Sequence, residues 1–226
     1  MDCWGLRIAE MFRTVFLLLI SIFSLSCNNN KKREINLPYY NEPSFTPLFL
    51  SNKDEIQRKV NHIIADFSLL NQDSVVINQR TIDDKIHVAN FIFTSCGSIC
   101  PVMTKNLKFV NDSLKSYNDV IYLSYSVTPW IDNPSVLRKF KRNYKISDKN
   151  WHFLTGNKGE IYKLARQSYF AEEDIGFSKD SSEFLHTEHF ILVDKSKKIR
   201  GIYNGTLKLD MEQLISDINN LKQEGN

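Results

Sequence analysis

Apolar and polar positions along this chain alternate between two periods. Residues 86–93, 120–127 and 189–194 are short apolar runs rich in β-branched and aromatic side chains, the pattern of buried strands. Between them, Met103, Leu107, Val110 and Leu114 recur at helical spacing and predict one buried helix face over residues 102–117. Asn133-Pro134 opens a second helix with Val136, Leu137, Phe140 and Tyr144 on one side. Residues 160–169 form a third, and residues 209–221 a closing amphipathic helix. Upstream, residues 63–70 and 75–77 flank a polar turn and read as a hairpin. Residues 151–156 are a short strand entering a turn, and 199–203 pairs back on 189–194 across the lysine-rich turn of Lys195, Lys197 and Lys198. Residues 171–183 are acidic and unpatterned, a surface loop. The alternation predicts an α/β fold with a mixed central sheet, helices on both faces and an added N-terminal hairpin.

The N-terminus has a different layout. Arg7 and Arg13 precede the apolar run 15–23, small residues follow, and Cys27 stands directly after Ser26. A positive flank, a short apolar core and small residues before the break are the layout of an export signal. The core is short for a membrane-spanning helix. Ser26-Cys27 resembles the lipobox of bacterial lipoproteins, which implies lipidation at Cys27; an uncleaved signal anchor is the competing reading. Both predict a location in the cell envelope, membrane-anchored and facing outside the cytoplasm. Residues 1–27 are therefore the export segment. Residues 28–54, with Pro38, Pro43 and Pro47, read as an extended tether in which Tyr39, Tyr40, Phe45 and Phe49 could dock on the domain. Residues 55–226 form the folded domain.

Charge changes this picture little. The formal net charge of the 226-residue chain is +3, and no basic patch interleaves with aromatics, so nucleic acid is not an expected partner. Cysteine usage changes it more. Of four cysteines, Cys3 and Cys27 lie in the export segment, leaving Cys96 and Cys100 as the domain's own pair. They follow the strand 86–93 in the order Cys96-Gly97-Ser98-Ile99-Cys100-Pro101. Pro101 suits the first position of a helix, which places Cys100 at or near the N-cap and Cys96 in the preceding turn. The positive end of a helix dipole favours thiolate. Two thiolates there can bind a soft metal ion or exchange with a disulfide. Two inert core cysteines or a structural disulfide are the bland alternative.

These landmarks resemble the Sco/SenC proteins, thioredoxin-fold copper chaperones of cytochrome c oxidase assembly. Their C-x-x-x-C-P motif is matched by residues 91–101. The phrase Trp151-His152-Phe153-Leu154-Thr155-Gly156 is similar to a recurrent segment of the family, and His186 stands where the family places a histidine ahead of its hairpin. Gly97 departs from the proline common after the first cysteine. Thr128-Pro129-Trp130-Ile131-Asp132 departs from the usual aspartate–proline wording, which leaves Asp132 as the best match for the family's acidic residue.

The resemblance implies a thioredoxin-like domain that holds copper, Cu(I) or Cu(II), on Cys96, Cys100 and His186, with an orienting role for Asp132. It implies delivery to the binuclear copper centre of a respiratory oxidase subunit, with a copper donor or thioredoxin-like reductant as further partners. Two thiolates and an imidazole suit Cu(I), which is soft and accepts low coordination. The alternative is a thiol–disulfide oxidoreductase in which Cys96 and Cys100 form a redox-active disulfide and reduce the cysteines of the oxidase copper site. His186 separates the two, because disulfide exchange does not need it. His189, three residues along a strand from His186, falls on the opposite face. The spacing of Met103 suits the core, and His62, His87 and His152 have no partner at ligand-like spacing. A thiol peroxidase would need proline and threonine where Ala89 and Phe93 stand. Structural zinc would be one protein ligand short.

Overall fold

The computed structural model describes residues 36–171 and 187–224. The elements begin with β1 (Tyr39–Tyr40), β2 (Pro47–Leu48), α1 (Lys53–Lys59), β3 (Ser68–Asn71), β4 (Val76–Asn78) and the single turn α2 (Gln79–Ile82). The centre follows as β5 (Ile86–Ile92), α3 (Ile99–Ser113), β6 (Val120–Ser126), α4 (Pro134–Asn143), β7 (Trp151–Thr155) and α5 (Lys158–Lys163). The chain closes with β8 (His189–Val193), β9 (Ile199–Asn204) and α6 (Lys208–Glu224).

The strands join one mixed sheet in the order β2-β1-β9-β8-β5-β6-β7-β3-β4. The three central strands are parallel, with Ile86 opposite Val120 and Tyr122 opposite Trp151. Every residue of β5 and β6 is buried, because helices cover both faces. Parallel strands so covered read as unbroken apolar runs. On one face, Met103, Leu107 and Val110 of α3 pack with Leu137 and Phe140 of α4 and Met211, Leu214 and Ile218 of α6. On the other, Ile161 and Tyr162 of α5 pack with Leu164 and Ala165. Those last two belong to a π-helical turn, Leu164–Ser168, that extends α5. Among the described residues, no helix is long and apolar enough to cross a membrane.

The hairpin at residues 63–77 forms, but its first strand starts only at Ser68, where β4 and β7 offer partners. Ile64 is buried beside it and donates its N–H to the Lys197 carbonyl (2.9 Å), while Ile63 remains 51% exposed.

From residue 36 the chain already lies on the domain. Tyr40 pairs with Ile199, and Ile199 is in line with Val193 and Val193 with His87. The chain thus enters level with the start of β5. Arg200 fixes the entry: Nε donates to the Pro38 carbonyl (3.1 Å) and Nη2 to the Leu37 carbonyl (2.9 Å). The guanidinium also pairs with Asp194 and Glu224 and lies 4.0 Å from the Tyr39 ring centre. Of the aromatics expected to dock, Tyr39, Tyr40 and Phe45 do so, while Phe49 is 71% exposed.

Candidate thiol and metal centre

The central strand β5 delivers its chain end into a short connection, residues 93–98, before α3. The Cys96 N–H donates to the Phe93 carbonyl (3.2 Å), which folds this connection back on the strand. The helix starts earlier than proline placement suggests. Ile99 is its first residue, so Cys100 lies inside the first turn rather than at the cap, and Pro101 is third. A proline is tolerated anywhere in that turn, because the N–H groups there have no partner within the helix. Ser98 flanks the helix without a side-chain capping bond, and its backbone N–H serves Cys96 instead.

Both cysteines are free thiols, Cys96 half-buried and Cys100 buried. Their environments push them apart. Burial raises the Cys96 thiol, but N–H groups of Cys100, Ser98 and Ile99 and the Cys100 S–H outweigh it, so Cys96 titrates below an ordinary thiol. Burial pushes Cys100 up to about 12, and its bond to Cys96 adds to the rise. The pair is one nucleophile and one reserve thiol, hydrogen-bonded to each other.

Asp132 is fully buried two residues beyond Trp130. Its carboxylate accepts from the Thr94 N–H (3.1 Å), the Thr94 hydroxyl (2.5 Å), the Ser126 hydroxyl (2.6 Å) and the Thr128 hydroxyl (2.9 Å). It therefore joins the end of β6 to the connection that carries Cys96, two residues after Thr94. The hydroxyl set was missed from sequence, although three hydroxyl residues ending apolar strands are its trace. Tyr144, at the end of α4, was also missed. Burial raises its hydroxyl first, and negative charge on Cys100 and Cys96 raises it further, so the ring lies within electrostatic reach of both sulfurs.

The remaining candidates separate. His186 and Cys27 lie outside the described residues. His189 packs edge-on to Phe45, with ring centres 6.0 Å apart, and Phe45 belongs to the sheet face opposite Cys96 and Cys100. Met103 is fully buried in the core next to Cys100. His62 bonds the Ser168 carbonyl (2.7 Å), His87 the Tyr169 hydroxyl (3.1 Å) and His152 the Asn71 amide (3.3 Å). Among the described residues, no group of three His, Cys, Asp or Glu side chains could hold a metal ion.

A mixed sheet that carries a cysteine pair from its central parallel strand into the first turn of a helix defines a thioredoxin-like thiol protein. The chain belongs to the SCO1/SenC family, whose model matches residues 55–223. A SCO1 protein homologue of Bacillus subtilis is 34% identical over 166 residues, 73% of this chain and 85% of that one. The structure of BsSco, a member of the Sco family of cytochrome c oxidase assembly proteins with a disulfide switch, is 33% identical with a TM-score of 0.62. It covers 73% of this chain and 95% of its own. A SCO1/SenC family lipoprotein from Bacillus anthracis is 28% identical, with a TM-score of 0.63 over 73% of this chain and 98% of its own. Arabidopsis thaliana ScoI, solved with copper bound, shares the fold at 23% identity and a TM-score of 0.55, over 71% and 99% of the two chains.

Proposed function

We propose that this protein is a copper-binding assembly factor for the binuclear copper centre of cytochrome c oxidase, holding copper as cargo on Cys96, Cys100 and His186. The observation that carries the reading is the free, unequal thiol pair at the start of α3 in a chain of the SCO1/SenC family. A low thiol and a high one, bonded to each other, suit Cu(I): binding the metal displaces the proton that Cys100 holds and leaves two thiolate donors. Asp132 keeps the connection in place while the sulfurs exchange protons for metal. Cys27 supplies the lipid anchor and residues 1–27 the export signal. The domain then works in the envelope, outside the cytoplasm, opposite the copper-centre subunit of the oxidase.

The same inequality favours a second reading, reduction of that subunit's cysteines. Cys96 thiolate attacks the target disulfide to give a mixed disulfide and a released thiolate. Cys100 then displaces the second target sulfur, leaving a reduced target and an oxidised Cys96–Cys100 pair.

Cu(I) titration of the reduced full-length protein against a chelator of known affinity separates the two. One tight equivalent, lost in Cys96→Ser/Cys100→Ser and weakened by His186→Ala, is the expected result. No tight binding, with a readily exchanging Cys96–Cys100 disulfide, would leave the reductase.

A further inference from the structure

Residues 133–147 carry five cations, Arg138, Lys139, Lys141, Arg142 and Lys145, and no carboxylate. Two serve the fold. Arg138 pairs with Asp73 at 3.2 Å, and Lys141 donates to the carbonyls of Asp148 (2.8 Å) and Trp151 (2.6 Å). Lys139, Arg142 and Lys145 are exposed. The helix α4, which bears Lys139 and Arg142 and is followed at once by Tyr144 and Lys145, is held beside the thiol pair. Asp132, just before its cap residue Asn133, bonds Thr94. At its far end Tyr144 packs on the same core cluster as Cys96 and Ile99.

Immediately ahead of α4, Trp130 is 59% and Ile131 49% exposed. Their turn is pinned, since the N–H groups of Ile131 and Asp132 both donate to the Thr128 carbonyl (2.8 and 2.9 Å). Lys158 sits 5.2 Å from the Trp130 ring centre. Two large apolar side chains on a fixed turn are costly to leave in water, and such side chains anchor interfaces.

We propose that Trp130 and Ile131, with the Lys139 and Arg142 cations of α4 and Lys145 just beyond its end, form the docking surface for an acidic protein face that presents a thiol pair to Cys96. This rests on the reading that the pair exchanges copper or electrons with another protein. A soft metal ion or a disulfide passes between sulfurs only when they touch, so the partner covers what surrounds Cys96. The turn and the helix held beside the Cys96 connection are apolar and cationic respectively, and their complement is an acidic face with an apolar centre. An anionic membrane would also satisfy the cations, but lying on it would turn the thiol toward lipid and bar exchange.

The test uses the full-length protein in detergent, with Lys139→Glu/Arg142→Glu/Lys145→Glu as one variant and Trp130→Ser/Ile131→Ser as another. Three quantities are measured: Cu(I) affinity by chelator competition, disulfide exchange with dithiothreitol, and copper or disulfide exchange with the soluble copper-centre domain of the oxidase subunit. The first two should stay at wild-type values. The third should fall at least about tenfold at low salt in the charge variant, as loss of electrostatic steering requires, and lose its salt dependence. It should fall in the apolar variant at any salt. Unaltered exchange in both variants would overturn the docking surface. So would loss of binding to phosphatidylglycerol vesicles with protein exchange intact, which would make this a membrane face. Wild-type protein inert in the first two assays would instead sink the reading beneath. Calorimetric titration of the two proteins would still decide the surface: a salt-sensitive complex lost in the charge variant supports it, and no complex overturns it.

Discussion

Thr94 and Asp132 are bonded twice, through the Thr94 N–H to one carboxylate oxygen and through its hydroxyl to the other. The threonine stands two residues before Cys96, so the position of the nucleophile depends on a carboxylate that lies outside its own connection. Removing that acceptor strands buried donors, and Asp132→Ala should cost about 3 kcal/mol of unfolding free energy. Urea titration measures it; a loss below about 0.5 kcal/mol would show that the donors find other partners. Asp132→Asn keeps the volume and should weaken Cu(I) binding by about tenfold, since residues that orient ligands matter at that level.

The two thiols should react at very different rates. With the reduced protein near neutral pH, iodoacetamide should label Cys96 well before Cys100, because one titrates below an ordinary thiol and the other is pushed up to about 12. Labelling of Cys96 should slow as pH falls through its depressed titration, as its thiolate takes up a proton. Mass spectrometry of quenched samples reads both sites. Equal rates would mean that the hydrogen bonds to Cys96 are not made in solution.

Acid should destabilise the fold through His87. Burial, with Lys197 adding to it, lowers this histidine to about 3 from 6.5. Between those values the unfolded chain holds a proton that the folded one refuses, so its stability contribution is full above pH 6.5 and is lost as pH falls toward 3. The slope is about 1.4 kcal/mol per pH unit. His152, lowered to about 4 chiefly by burial, acts in the same direction. Denaturant midpoints across this range should fall less steeply in His87→Phe, and an unchanged slope would count against the assignment.

The buried Arg200 should prove expensive to replace. Arg200→Leu leaves Asp194 and Glu224 without their shared cation and should cost about 3 kcal/mol. It also frees the carbonyls of Leu37 and Pro38. Hydrogen exchange at Tyr39 and Tyr40 should accelerate more than global unfolding accounts for. Exchange unchanged at these two amides would show that strand pairing alone holds the entry.

Much of this architecture is legible in the residues, and the reasons are uneven. Strands β5 and β6 are plain because burial on both faces leaves mostly apolar runs, interrupted by the buried polar residues His87, Asn90, Ser124 and Ser126. The start of α3 is misread because Pro101 is equally acceptable at any place in a first turn. The docking of residues 36–48 is hinted at only by its aromatics: its strands are two residues long, too short for a period, and its main anchor, Arg200, is far away in sequence. The cysteine pair is evident from spacing, whereas its inequality depends on which N–H groups face which sulfur. Asp132 is visible as a carboxylate near the right place. Its hydroxyl partners become visible only when β5 and β6 are laid side by side. The cations of residues 138–145 can be counted in the sequence, but that their segment lies beside the thiols comes from the packing of Tyr144.

β1 lies at the end of the sheet away from the thiols. Tyr40 lies in line with Ile199, Val193 and His87, at the beginning of the central strand, whereas Cys96 follows that strand's end. Seven residues of strand separate those levels by about 20 Å. β1 therefore sits at the base of the sheet, and the sulfurs ride at the summit. The summit, not the base, is the end that a counterpart of these sulfurs must meet.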